Sequence, residues 1–543
     1  MQKHHLLFNV KNKQRYSAPL LRHGPVRYRH QRPLKKANGV VMNKLSSAEK
    51  VPHALMYIDG KWIDSAEQDE IRSPATEQLV ATVAQGSIPL ADQAVAAAKK
   101  AFDSGVWRTM HPHQRAQILL KAADRLEARS EELAALASAE NGMPIRIAGP
   151  GVIGVSVDFL RYYARLSSEY EYEVEGPRFG PHESEGIIRR EPVGVCAAIV
   201  PWNVPLVLGM WKIAPALAVG NSVVVKPDRQ APLTLIEFAR ELEAAGLPAG
   251  VLNIVTGEGA VIGAHLAEHP DVAKIAFTGS TVTGRDVMRR ASSTLKRVTL
   301  ELGGKAPSIV LADANINLAV EGVIYGALAF SGQICESGTR LLLPRILHDE
   351  FVDRLVHRIS ELRIGDPASA ETDLGPVFSA RQKERILAYI ETGKAQGATL
   401  RYGGTPLKGG DFEQGHWVQP TIFTNVTSDM TIAREEIFGP VLCVIKYDDI
   451  DEAIQIANDS EYGLSAGIWS EDYELALAVA RRIQAGTVWI NDWHALPPGY
   501  PFGGYKQSGV GREAGDSALA QYTEEKFIAV APPKAPSSSP FVR

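Results

Sequence analysis

The residue whose neighbours suit it best for chemistry is Cys335. It lies in Phe330-Ser331-Gly332-Gln333-Ile334-Cys335-Glu336-Ser337-Gly338-Thr339-Arg340, a polar stretch with a glycine on either side of the thiol. The other two cysteines, Cys196 and Cys443, fall in the apolar runs 193–200 and 441–445 and read as buried strand residues. A free cysteine packs as a small hydrophobe by default. Glycines let the backbone approach a ligand closely around a reactive atom, so Cys335 is the candidate nucleophile. Such a thiolate needs a base, a site for an oxyanion and an acceptor for electrons or a group.

Each has a candidate. Pro201-Trp202-Asn203 follows an apolar strand-like run, and the Asn203 amide can either donate to an oxyanion or satisfy a turn. Glu301, before Leu302-Gly303-Gly304-Lys305 and after Val298-Thr299-Leu300, is a carboxylate at a strand end: a general base or a solvated loop charge. Lys226-Pro227-Asp228-Arg229 ends another apolar run, where Lys226 could hold a ribose or phosphate. In Phe277-Thr278-Gly279-Ser280-Thr281-Val282-Thr283-Gly284, Gly279, Ser280 and Gly284 would let a pyrophosphate approach a helix N-terminus. This is not the G-x-G-x-x-G fingerprint, and the turn alone is weak. Glu436-Ile437-Phe438-Gly439-Pro440 and Pro501-Phe502-Gly503-Gly504-Tyr505-Lys506 set an aromatic beside glycine, as the wall of a ligand site does. No metal-ligand spacing accompanies them, and none is assigned.

The elements that must position these groups are α/β. With 543 residues the chain fits two or three domains. Helical periodicity predicts helices over 90–103, 113–129 and 130–140, after a hairpin turning at Asp59-Gly60. Strand-like runs at 193–200, 222–225, 251–255 and 273–277 alternate with a helix at 233–245. Further runs follow at 308–311, 340–343, 441–447, 467–469 and 486–490. Such alternation argues for parallel sheets, which bind ligands at the carboxyl ends of their strands. The apolar region 193–225 is too interrupted by Pro201, Asn203, Pro205, Lys212, Pro215 and Gly220 to span a membrane. A net charge of −4 makes no electrostatic case for a nucleic-acid or anionic-membrane partner. Three scattered cysteines point to a reducing compartment, here read as cytoplasmic. Residues 1–50 are basic, with no acid before Glu49; they read as a disordered extension, with mitochondrial targeting as the minority reading.

Taken together and in this order, these motifs resemble the aldehyde dehydrogenase superfamily from about residue 56 to 528, with 34 positions (335 − 301) from Glu301 to Cys335. The resemblance implies a Rossmann-like cofactor domain (51–169 and 191–300), a second α/β catalytic domain (301–515) and a small β oligomerisation element (170–190 and 516–530), with 531–543 a frayed tail. It implies a homodimer or homotetramer oxidising an aldehyde with NAD or NADP. Cys335 would attack the carbonyl, the Asn203 amide and Cys335 N–H would hold the oxyanion, and Glu301 would activate water against the thioester. Lys212 and Glu513 match proton-relay positions. Trp202, Lys226, Gly279, Ser280, Gly284, Glu436 and Phe438 match cofactor positions. By position, Val204, Leu208, Trp211, Ile334, Leu496 and Phe502 would line the substrate tunnel, with Trp493, His494 and Tyr500 on its loop, favouring a medium aliphatic or aromatic aldehyde. Trp493 also admits a quaternary ammonium substrate such as betaine aldehyde. A CoA-acylating enzyme and a non-catalytic binding protein are the rivals, and the set Asn203, Glu301 and Cys335 speaks against both.

Two positions depart from the family pattern. Arg229 stands where NAD-preferring relatives carry Glu, so it is expected to meet a 2′-phosphate and make NADP at least as good as NAD, or else to swing into solvent. Glu336 directly follows the nucleophile and is expected to face away from it, for instance paired with Arg340.

Overall fold

The computed structural model describes residues 51–180 and 183–532. The basic stretch 1–50 and all but the first two residues of the tail lie outside the described residues. The Asp59-Gly60 hairpin joins Met56–Ile58 to Lys61–Ile63. Its two turn residues sit at φ 51° and 73°, the positive values that a two-residue turn matching the strand twist requires.

This hairpin forms one flank of an eight-stranded sheet. In spatial order the strands are Gly509–Val510, Arg297–Glu301, Lys274–Thr278, Val195–Ile199, Ser222–Lys226, Leu252–Ile254, Met56–Ile58 and Lys61–Ile63. The five inner strands are parallel and the flanks antiparallel. Alternate residues feed two separate cores: Cys196, Ala198, Val223 and Val225 enter one, and Val195, Ala197, Ile199 and Val224 the other. That two-sided burial is why these strands read as unbroken apolar runs. The strand that begins the unit, Val195–Ile199, lies in the middle, and the chain builds first to one side of it and then to the other. The crevice at such a reversal is where open parallel sheets take ligands.

A second sheet has the order Thr399–Tyr402, Thr421–Thr424, Val441–Tyr447, Arg340–Pro344, Pro307–Val310, Ser465–Trp469, Thr487–Ile490, parallel but for its first pair. The five residues Leu302 to Ala306 connect it to the first sheet, between Arg297–Glu301 and Pro307–Val310. Glu301 therefore ends a strand of one sheet where the chain crosses to the other. A third, antiparallel sheet pairs Thr523–Val530 with Glu185–Pro192 and that strand with Glu173–Glu175.

The region 193–225 is the strand Val195–Ile199, the buried helix Pro205–Ala218 and the strand Ser222–Lys226. Among the described residues no helix is long and apolar enough to cross a membrane. Cys196 and Cys443 are free and buried in their strands, and burial pushes the Cys196 thiol up to about 12.

Candidate active site

Cys335 follows the helix Ile316–Leu328 and a short turn, and precedes the strand Arg340–Pro344. The turn is unusual: Phe330, Ser331 and Gly332 hold φ of 49°, 54° and 70° in succession. Non-glycine residues adopt such values at a cost and need surrounding contacts to hold them. Here Ser331 Oγ donates to the Gly375 carbonyl at 2.7 Å, and Gln333 Oε1 accepts from Phe378 N at 2.8 Å. Gly332 lies so close to Gly439 that a Cβ would stand 2.4 Å from its carbonyl oxygen. The nucleophile is thus presented by a fixed turn, and Cys335 packs against the same apolar cluster as Ile334, Trp202, Val204 and Leu496.

Asn203 reaches the same turn: its Nδ2 donates to the Gln333 carbonyl at 3.1 Å. Its own carbonyl is held by Asn141 Nδ2 at 2.9 Å. The second N–H of Nδ2 makes no hydrogen bond among the described residues and is available to an oxyanion. Nothing in the sequence around Asn141 announces this contact, because its partner lies 62 positions away.

Glu301 is buried, and among the described residues neither of its carboxyl oxygens has a hydrogen-bond partner. Burial, then the neighbouring Glu513 carboxylate, pushes its carboxyl well above the usual carboxylate range. Glu513 in turn accepts from Lys212 Nζ at 2.7 Å, and the same ammonium donates to Thr278 Oγ1 at 2.6 Å. Lys212 and Glu513 are almost wholly inaccessible, so a buried ion pair abuts an unpaired acid. Backbone bonds of 2.7 and 2.8 Å tie Glu513 to Phe502.

At the carboxyl edge of the first sheet, Lys226 ends its strand with an ammonium group that makes no hydrogen bond among the described residues, and burial lowers its pKa. Ser280 caps the helix Thr281–Ala291, accepting from Thr283 N at 3.3 Å. Gly279 and Gly284 allow this turn to pack, since Cβ atoms there would meet the Phe277 ring at 2.5 Å and Leu302 at 2.4 Å. An unpartnered cation beside a capped helix start suits a dinucleotide's hydroxyls and phosphates, so the residues fit the cofactor. Glu436 accepts from Gly304 N at 3.0 Å, and burial raises its carboxyl to about 7. Phe438, at φ 60°, meets the Trp202 ring edge-on at 5.4 Å, and Trp202 stacks on Phe378 at 4.2 Å.

Of the side chains expected around the substrate, six gather in one place, while Trp493 and Tyr500 lie elsewhere. Val204, Leu208, Trp211, Ile334, Leu496 and Phe502 share one cluster with Cys335. Trp211 packs on Phe502 at 5.0 Å and on Phe159 at 5.6 Å; Phe159, from the helix Val155–Glu169, escaped the sequence because nothing local separates it from ordinary core. Trp493 is not a tunnel wall. It is 2 % exposed and belongs to the second sheet's core, where it fills space over Gly326, Gly338 and Gly467, whose absent Cβ atoms would clash with its ring. Tyr500 is 70 % exposed.

Glu336 does not face away, and Arg340 is not its partner. Arg340 donates to the carbonyls of Lys305, Ile456 and Ala457. Glu336 Oε2 lies 3.3 Å from Cys335 Sγ, and its Oε1 lies 3.1 Å from His494 Nδ1. Burial alone would raise this carboxyl; the hydrogen bond and charge of His494, with the Cys335 contact, outweigh it and hold the pKa below the usual value. Burial, then Glu336, pushes the Cys335 thiol well up. Arg229 neither swings into solvent nor stands free: its guanidinium bridges Asp69 and, at 2.9 Å, Glu258. Away from this site, Asp92, His265 and His269 bring ligand-type atoms within 4.8 Å of one another. There Asp271 N–H donates to His269 Nδ1 at 3.1 Å, which leaves the ring proton on Nε2, facing Asp92. His265 Nε2 and His269 Nε2 lie 2.5 and 3.4 Å from the same Asp92 oxygen.

Residues 62–528 match the family described as Aldehyde dehydrogenase family. The chain is 44 % identical over 490 residues to the mitochondrial aldehyde dehydrogenase of Leishmania tarentolae, covering 89 % of this chain and 97 % of that one. It is 43 % identical over 476 residues to a betaine aldehyde dehydrogenase of Bacillus subtilis, covering 87 % and 96 %. Among solved structures, the betaine aldehyde dehydrogenase of Staphylococcus aureus in complex with NAD+ superimposes with a TM-score of 0.89 at 35 % identity, over 93 % of this chain and 99 % of that one.

Proposed function

The chain belongs to the aldehyde dehydrogenase family, and from that premise we propose that it oxidises a medium aliphatic or aromatic aldehyde to its acid through Cys335. The observation that carries this reading is the convergence of three groups: a thiol on a fixed turn, the Asn203 amide 3.1 Å from that turn's Gln333 carbonyl, and the unpartnered carboxyl of Glu301 at the strand edge.

As the thiolate, its proton released to solvent, Sγ adds to the carbonyl carbon and the carbonyl electron pair moves to oxygen, where the Asn203 amide and the Cys335 N–H stabilise it. NAD or NADP, when bound, would supply the acceptor for the hydride that the adduct carbon gives up as the thioester forms. Lys226, Ser280 and the start of the helix Thr281–Ala291 would hold its ribose and phosphates, with Trp202, Glu436 and Phe438 nearer the thiol. Glu301 then takes a proton from water as the water oxygen adds to the thioester carbon; the carbonyl re-forms as the C–S bond breaks, and the proton held by Glu301 passes to the departing sulfur to restore the thiol. Because Glu301 is held protonated by burial and Glu513, it must first lose its proton, and the Glu513–Lys212 pair is the buried route at hand. Glu301 also speaks for water over CoA as the thioester's acceptor.

The relatives named for betaine aldehyde support a second substrate reading. Trp493 cannot serve it, whereas Trp211, Phe159 and Phe502 offer ring faces for a quaternary ammonium group in the cluster that holds Cys335. For the cofactor, Asp69 and Glu258 occupy the Arg229 guanidinium and supply the carboxylate acceptors that ribose hydroxyls need, so NAD is preferred to NADP. We likewise propose a cofactor domain of 51–169 and 191–300, a catalytic domain of 301–515 and an oligomerisation element of 170–190 and 516–530, with the third sheet, where Phe527 is 63 % exposed, as the surface through which copies pair.

The test follows absorbance of the reduced cofactor with purified protein, an aldehyde panel that includes betaine aldehyde, and NAD and NADP in parallel. Turnover is expected to vanish in Cys335→Ala and to be unchanged by added CoA. Turnover surviving in that variant, or acyl-CoA as the product, would overturn the reading.

A further inference from the structure

The proposed reaction leaves unused the buried pair next to its nucleophile, Glu336 and His494. A carboxylate only accepts hydrogen bonds, so at 3.3 Å from Sγ, within the range for a sulfur donor, Glu336 Oε2 takes the thiol proton as a hydrogen bond. The side chain is not free to leave. Its backbone carbonyl accepts from Ser465 Oγ and Trp493 Nε1, both at 3.1 Å, and its other oxygen faces His494 Nδ1 at 3.1 Å. His494 Nε2 faces the Tyr325 carbonyl at 3.3 Å, and the Tyr325 ring stands edge-on to the imidazole at 4.9 Å. Both ring nitrogens thus meet acceptors, one a carboxylate and one a carbonyl. The arrangement is satisfied by an imidazolium beside a carboxylate beside a thiol.

We propose that Glu336 is a positioning residue for Cys335, holding the resting thiol protonated as its hydrogen-bond donor, and that His494 keeps this carboxylate charged and aimed. The proposal rests on Cys335 being the nucleophile. It means that the enzyme without cofactor or aldehyde carries a parked thiol, shielded from electrophiles and oxidants that consume thiolates. The other charged or titratable groups around the pair are few: Glu436 and Glu301 face the thiol, while Tyr325 and Asp492 lie on the His494 side. All but His494 are acidic, so His494 is the cation that can offset the Glu336 charge.

The experiment is the pH dependence of Cys335 alkylation by iodoacetamide in the full-length protein without cofactor, with the modified residue identified by mass spectrometry. Glu336→Gln is expected to move the midpoint to lower pH and to speed alkylation at pH 7 by about tenfold or more, one unit of midpoint being about a factor of ten in thiolate. Glu336→Asp, which withdraws the charge, is expected to shift it less, in the same direction. His494→Gln is expected to change the profile in the parent protein and to leave it unchanged in the Glu336→Gln background, because His494 acts through Glu336. A midpoint that stays or rises in both Glu336 variants, or an equal His494→Gln effect in either background, would overturn the proposal. Should Glu336→Gln not fold, Glu336→Asp and the His494→Gln shift decide it. The alkylation assay reads the thiol without turnover. Cys335→Ser retaining turnover would therefore refute the proposed reaction while leaving the shift measurable.

Discussion

Two buried carboxyl groups flank the same sulfur and meet opposite fates. Glu301 arrives at the end of a strand from the first sheet with no partner on either oxygen, and its proton is retained. Glu336 follows the thiol directly, is as deeply buried, and is ionised because His494 stands 3.1 Å away. Desolvation is the largest effect on both. What separates them is a single hydrogen-bonding partner, His494, which teaches that burial sets the cost of a charge and a partner decides whether it is met. The difference suits the proposed roles: a base for water must change its protonation, whereas a residue that parks a thiol must keep its charge.

The comparison can be broken at several points. Glu301→Gln is expected to slow acid release by about 10²–10⁴-fold while leaving a stoichiometric burst of reduced cofactor in stopped-flow absorbance; loss of the burst would show that Glu301 acts before the thioester. In the parent enzyme, acid release should rise with pH, since a raised carboxyl becomes a base only as pH climbs past its pKa. Glu513→Gln removes the second-ranked cause of that elevation, so the rise should move to lower pH in single-turnover rates. Asp69→Asn frees Arg229 from one of its two carboxylates and is expected to raise NADP efficiency relative to NAD by about tenfold, the scale of one charge-assisted contact.

The smallest effect tests the rule itself. Glu140 is a buried carboxyl that accepts from the Leu233 N–H and has no cation, and burial raises it to about 8. A folded pKa above the unfolded value means that the folded state holds the proton more tightly, so its contribution to stability falls as pH rises from about 4.5 to about 8. Glu140→Gln keeps the acceptor and loses this dependence. Melting temperatures should show the parent losing ground to the variant between pH 5 and pH 8.5, and a constant gap would contradict the rule.

Much of this was legible in the residues themselves. The inner strands could be read because burial on both faces makes them continuous apolar runs, and the reading of 222–225 falls on Ser222–Lys226. The helix at 233–245 is observed as Leu233–Ala245, ended by Gly246 at φ 101°. The short strands Gln68–Arg72, Leu79–Ala84 and Thr421–Thr424 were not read. Gln68–Arg72 is largely polar, with buried and exposed positions alternating, Leu79–Ala84 lacks a clean alternation, and Thr421–Thr424 has only four residues. Cys335, Asn203 and Glu301 could be picked out because each stands beside glycine, proline or a strand end, where local chemistry is already odd.

What sequence alone determined is therefore the set of reactive groups and the sheets that carry them, since both follow from residue type and nearest-neighbour pattern. The tertiary structure alone decided the charges. His494 lies 158 positions from Glu336 and Asp69 lies 160 from Arg229, and no local pattern announces such pairings. Trp493 reads like a binding aromatic until three glycines from distant segments are seen to make room for it in the core. Electrostatic energy depends on distance in space and on the surrounding dielectric, and neither exists until the chain has folded.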